Sequence, residues 1–178
     1  MINLVQDWQR RLANECPQNH FSREAIARWL IDDINIEIDP EELTQAQQLM
    51  EYRYQILRTR YLGVNPEQAY RHLICHLSHQ VFLHQKIRAD VSVSRDCQRI
   101  VIDVVQELVQ DLIQRDRYIH TRMQRIAEHT SDLKLRNTLV LVTLEEYCLR
   151  RVGKQSFLLC CFYEHLQRIQ SSALTYVP

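Results

Sequence analysis

The chain has 178 residues, 46% of them apolar and 25% charged, which is the composition of an ordinary globular domain and excludes a disordered or fibrous protein. Twenty-two basic and twenty-two acidic side chains cancel, so no molecule-wide field draws the chain to nucleic acid or to an anionic membrane, and any such binding has to be local. Two glycines and four prolines stand where average usage would put about twelve and nine, which argues against a turn-rich sheet protein and leaves no glycine for a G-x-G-x-x-G, Walker A or G-x-S-x-G motif.

The reading that follows is an all-α fold: a single-domain bundle of about seven helices with one long central helix, residues 1–38 holding the amino-terminal helices and an acidic linker and residues 39–178 the main bundle. Ile2, Val5, Trp8 and Leu12 recur at helical spacing, and Pro17 stops that element. Ser22 offers an N-cap for a second helix through Ile31. The arginines and alanines of Ser22 to Leu30 suit a helix-turn-helix unit, but an acidic stretch that phosphate would repel follows directly. That stretch, residues 32–51, carries Asp32, Asp33, Glu37, Asp39, Glu41, Glu42 and Glu51 with no Lys or Arg. It suits docking on a basic face within the molecule or in a dimer, nucleic-acid mimicry, or a solvated face. Ile34, Ile36 and Ile38 alternate with polar residues, but with no second strand to pair they predict an extended linker.

Two helix starts share one grammar. Asp39-Pro40-Glu41-Glu42 and Asn65-Pro66-Glu67-Gln68 each place a capping side chain before a proline at the first helical position, and Gly63 ends the element between them. Helices over 40–61 and 66–88 are expected, joined by a tight turn. In the second, His72, His76 and His79 fall on one face, three imidazoles suited to a metal with an open fourth position, although H-E-x-x-H is absent and no carboxylate lies within a turn. Boundary histidines beside the apolar stripe of Leu73, Ile74, Leu77 and Val81 are the simpler account, and neither metal nor cofactor is expected.

A start at Ser92 or Ser94 opens a helical pattern that runs to about Glu128. Val101, Val105, Leu108, Leu112, Ile119 and Ile126 step by four and three as a coiled-coil seam, whose remaining positions are Arg115 and Arg122. Arg115, Tyr118, Arg122, Arg125 and His129 form a basic strip beside that seam, and Lys134 and Arg136 add charge at the next helix, which Ser131 is expected to cap. These residues are candidates for a partner's carboxylates or for phosphate; alternatively the arginines edge the core and pair with acids such as Asp111. The seam also suits self-association. A helix running to Arg151 before Gly153 and a last one over about 155–170 complete the chain.

No Asp or Glu carries a His three residues on, so the paired Glu-x-x-His of dinuclear carboxylate bundles is missing. Of the six cysteines none forms C-x-x-C; Cys75 and Cys148 sit in apolar helix patterns where cysteine is usually a small core residue, and a reduced, cytoplasmic protein without signal peptide or membrane span is expected.

Several strings together resemble the amino-terminal half of cyanobacterial HetZ-related proteins, relatives in name of a heterocyst-differentiation regulator, over about residues 40–178. They are Met50-Glu51-Tyr52-Arg53-Tyr54-Gln55-Ile56-Leu57, Gly63-Val64-Asn65-Pro66-Glu67-Gln68-Ala69-Tyr70-Arg71, Ser94-Arg95-Asp96, Asp116-Arg117-Tyr118, Leu135-Arg136-Asn137-Thr138-Leu139, Leu144-Glu145-Glu146-Tyr147-Cys148-Leu149-Arg150 and Leu174-Thr175-Tyr176-Val177-Pro178. The resemblance implies a cytoplasmic role in transcriptional or differentiation control, with helix-turn-helix segments in longer members that this chain does not reach. It departs from the family at Arg151-Val152-Gly153-Lys154-Gln155-Ser156 and at Ser171-Ser172-Ala173. The functional expectation is a non-enzymatic interaction module acting through a protein partner or self-association. A direct DNA-binding regulator using the Arg-rich face and a His-ligated metal protein are the alternatives. Arg115→Ala and Arg122→Ala are expected to weaken partner binding without unfolding the chain.

Overall fold

The computed structural model describes residues 4–15, 20–34, 39–89 and 95–174. Among these the chain is all-α, with eight α-helices: α1 Leu4–Glu15, α2 His20–Leu30, α3 Pro40–Ile56, α4 Pro66–Ala89, α5 Arg95–Arg115, α6 Arg117–His129, α7 Leu133–Leu149 and α8 Phe157–Leu174. The expected Pro17 stop, the linker beyond Ile34, the start at Ser92 or Ser94, and Ile2 and Cys16 lie outside the described residues.

Helix ends follow local chemistry, not always at the anticipated residue. The Asn65 Oδ1 accepts the Glu67 amide at 3.0 Å, as the Asn-Pro-Glu string predicts. Asp39 makes no side-chain cap; its carbonyl accepts the Leu43 amide at 3.1 Å while Pro40 sets the first turn. Asp132, not Ser131, caps α7: its Oδ1 accepts the amides of Lys134 at 2.9 Å and Leu135 at 3.4 Å, and its charge suits the helix N-terminus. Ser22 lies inside α2, two residues past its start. After α3 the chain widens into one π-helical turn, Leu57–Tyr61, where Leu62 donates to the Leu57 carbonyl at 2.8 Å before Gly63, at φ +77°, ends the element.

The helical pattern expected to run unbroken to Glu128 is interrupted at Asp116. Its amide still donates to Leu112 O at 3.0 Å, closing α5, while its Oδ1 accepts the Ile119 amide at 3.0 Å, opening α6. One residue thus serves both ends. The sheetless expectation is amended at one point, a two-strand hairpin of Arg151–Val152 (β1) and Gln155–Ser156 (β2) around Gly153 at φ +66°.

The described chain forms two compact units. The first takes residues 1–69 and 120–143, the second residues 70–119 and 144–178. In the first, Trp8, Leu12, Ile26, Trp29, Leu30, Met50, Tyr54, Leu57, Ile126, Leu139 and Val142 are buried, and α1 turns Leu4, Trp8 and Leu12 inward, with Val5 only half-buried. Burying such side chains is worth about 1.5–3 kcal/mol each. The buried Trp29 Nε1 donates to Thr143 Oγ1 at 3.1 Å, so its polar atom is satisfied inside this core. In the second unit the core is Leu73, Leu77, Val81, Val105, Val109, Leu144, Leu158 and Phe162, with α5 packed against α8.

Candidate functional site

The first unit gathers charge around the turn that ends α2. Asp33 adopts φ +66°, a left-handed conformation that Asp tolerates better than most residues, and it turns the chain out of the helix. The freed carbonyls of Leu30 and Asp32 accept hydrogen bonds from Arg53 Nη1 at 2.9 and 2.8 Å, so a guanidinium on α3, 3% exposed, replaces the missing helical donors.

The carboxylates of this turn meet the cationic side of α6. Arg122, 1% exposed, brings Nη1 to 3.2 Å from Asp33 Oδ2 and 3.5 Å from Asp32 Oδ2. Neither Nη1 nor Nε makes a hydrogen bond of good geometry, so the contact is an ion pair held by charge and burial. Arg125 Nη1 donates to Asp33 Oδ1 at 2.5 Å, and His129 Nε2 lies 3.0 and 3.1 Å from the Asp32 oxygens. Of the docking modes open to the acidic stretch, Asp32 and Asp33 take the one within the molecule.

The other strip candidates have separate fates. Arg115 ends α5 in the second unit, 3.2 Å from Asp111, the acid expected for an arginine edging the core, but it is well exposed instead. Tyr118 stacks on Tyr147 with centroids 4.9 Å apart and planes at 13°. The Tyr147 hydroxyl donates to Asp116 Oδ2 at 2.9 Å, and burial together with that carboxylate pushes its pKa up to about 12, so it stays a donor. Arg136 turns inward to the carbonyls of Thr130 at 2.6 Å and Ala127 at 3.2 Å; Lys134 is exposed. Arg122 therefore cannot be removed without touching the fold, which revises the expectation that its alanine variant leaves the chain intact.

The histidine face is not assembled into a ligand set. His72 and His79 are exposed, whereas His76 Nε2 lies 3.2 Å from Oε1 of Glu145, a carboxylate with no exposed surface. Among the described residues no three His, Cys, Asp or Glu side chains are placed to hold a metal ion. The carboxylate partner missing within a turn of His76 comes instead from α7. Its sequence signal was a pair of acids, Glu145 and Glu146, set in the largely apolar run from Leu139 to Cys148, of which the fold buries Glu145 and leaves Glu146 half-buried.

In the second unit, α5 and α8 line a shallow cleft of about 270 Å³ with Glu107, Asp111, Arg115, Glu164, His165 and Arg168. Its signs alternate, and His165 Nε2 sits 3.2 Å from Glu107 Oε2. The one thiol on its wall, Cys161, is pushed up to about 11, first by burial and then by Glu164, so it stays protonated and weakly nucleophilic at neutral pH. Cys148 is buried and pushed up to about 12, as a core cysteine should be, while Cys75 is exposed, contrary to its apolar pattern. No helix among the described residues is long and apolar enough to cross a membrane. Compared with protein-family models, with curated proteins and with solved structures, the chain gives no match in any of the three.

Proposed function

We propose that this chain is a non-enzymatic, cytoplasmic helical interaction module that acts through protein contacts in transcriptional or differentiation control, the role implied by its resemblance to HetZ-related proteins. The observation that carries the reading is the neutralisation of α6 from within: Arg122 and Arg125 face Asp32 and Asp33, so the most basic helix face is spent on the fold before any phosphate arrives. The α7 helix supports it as well. Leu135, Leu139, Leu141, Val142, Leu144, Tyr147 and Cys148 are buried around much of its circumference, which leaves no face to lie in a DNA groove. The cleft bearing Arg115, with acids and bases interleaved, suits a protein surface of mixed charge better than a polyanion.

Fluorescence anisotropy with mixed-sequence duplex DNA, from low to physiological salt, tests the reading against direct DNA binding. The expected result is that Arg125→Ala and Lys134→Ala change nothing, while Arg115→Ala weakens the partner or self-contact followed by light scattering and affinity capture. Steep salt-dependent duplex binding that the first two substitutions weaken would move the function to DNA.

A further inference from the structure

Between Glu146 and Glu164 the chain runs seventeen residues without an acid, and Arg150, Arg151 and Lys154 fall within them. This segment contains the hairpin. Val152 pairs with Gln155 and Arg151 with Ser156, and the Phe157 amide donates to the Arg150 carbonyl at 2.9 Å, closing the base. Gly153 takes the left-handed backbone that a two-residue turn demands of its first central position. The base rests on aromatic rings: the Arg150 guanidinium lies 4.2 Å from the Tyr147 centroid and 4.8 Å from that of Phe157, and the two rings are 4.8 Å apart.

One cation is thus held in place by stacking, and two more are carried on a short, hydrogen-bonded hairpin. Arg151 and Lys154 are exposed, and among the described residues neither has a carboxylate within ion-pair distance. Val152, 44% exposed, stands between them. Holding the cations on a fixed frame lowers the ordering cost of binding, and an arginine already stacked on aromatics presents its fork for a bidentate carboxylate contact.

We infer that this hairpin is the docking element for an acidic segment of a protein partner, whose carboxylates pair with Arg150, Arg151 and Lys154 around an apolar contact on Val152. The inference rests on the reading of the chain as a protein-interaction module and names the chemistry of its partner. Nucleic acid fits the surface less well. Affinity for a polyanion grows with the number of phosphates neutralised, which three cations keep small, and phosphates give an exposed valine between two cations no counterpart.

The test is anisotropy of a fluorescein-labelled peptide of alternating Glu and Leu titrated with the full chain. Binding that weakens with salt is expected, with Arg151→Glu and Lys154→Glu each lowering affinity about tenfold. Arg71→Glu, an exposed cation outside the hairpin, should leave it unchanged, and Lys154→Ala serves where a charge reversal perturbs helicity. Equal affinity of wild type and hairpin variants, or no peptide binding at low salt, overturns the inference; an oligothymidylate of matched charge that binds more tightly reassigns the hairpin to nucleic acid. Either of those overturning results, found while Arg115→Ala still weakens a partner contact, removes the hairpin alone, whereas the failure of both removes the interaction reading itself.

Discussion

Arg122 concentrates the energetics of the first unit in one side chain. A guanidinium with 1% exposure has surrendered its hydration, and it recovers that loss only through Asp32 and Asp33, at 3.5 and 3.2 Å and without ideal hydrogen bonds. Deleting it takes the buried cation away from two carboxylates that keep Arg125 and His129 beside them, and removing one partner of a buried pair typically costs about 3–5 kcal/mol. Asp33 keeps about a third of its side-chain surface in water, so the lower end of that range applies. Urea unfolding of Arg122→Ala should show a loss of about 3 kcal/mol, and Arg122→Met in an Asp33→Asn background should recover part of it. Wild-type stability in the alanine variant would mean that the cluster is solvated rather than structural. The position was visible in the sequence because an arginine occupied a seam slot meant for an apolar residue. Its partners were not, since Arg125 and Asp33 lie 92 residues apart and no helical periodicity links such positions. Glu145 teaches the same point: the acid is plain in its apolar run, but only the fold brings His76 to it.

At the scale of elements, side-chain chemistry marked where helices exist better than where they meet or break. Pro-Glu strings and Gly63 located α3 and α4 because those signals act within one turn. The break between α5 and α6 escaped periodicity since Asp116 interrupts the ladder for a single residue, its amide still closing α5 and its Oδ1 already opening α6; within α5 the fold buries Val101, Val104, Val105 and Val109 and leaves the seam residues Leu108 and Leu112 half-buried. The joint between α1 and α3 was equally hidden. There Arg11 forks onto Glu51, with Nη2 3.1 Å from Oε1, and its Nε donates to Glu15 at 2.9 Å, while Tyr54 donates to Glu15 at 2.9 Å. The Arg11 guanidinium holds the Glu51 carboxyl below the usual range, helped by Gln55, and holds Glu15 down together with Tyr54. Depressed carboxylates stabilise the fold fully above their unfolded value of about 4.3 and lose that contribution as pH falls through their lower folded values. The half-exposed Arg11–Glu51 pair contributes at most about 1 kcal/mol. Thermal melts of wild type should therefore hold steady from neutral pH to about 5 and then fall. Arg11→Ala should be less stable at neutral pH and shed less stability on acidification, so that the two curves converge in acid. Parallel curves would show that Arg11 sets no part of the acid limb.

For the whole molecule, the all-α class was legible in two glycines and four prolines, but the partition was not, because amphipathic faces report that a helix is buried without saying which helices share its core. The first unit takes residues 1–69 and 120–143, and the second takes the rest, so the chain crosses between them inside α4, α6 and α7. A helix cut at such a crossing would expose unpaired amides and carbonyls on each side and lose the propagation that makes a long helix stable. Independent melting of either unit would carry that cost three times over. Both tryptophans, Trp8 and Trp29, are buried in the first unit, so indole fluorescence reports on it alone, whereas far-ultraviolet circular dichroism reports the helices of both. Urea titrations followed by the two signals should superimpose, with one midpoint and one slope. An earlier fluorescence midpoint would identify the first unit as a separately unfolding body. Coincidence would establish the interleaved helices as one cooperative structure, in which the charged turn after α2 and the basic hairpin after α7 are presented by the same frame.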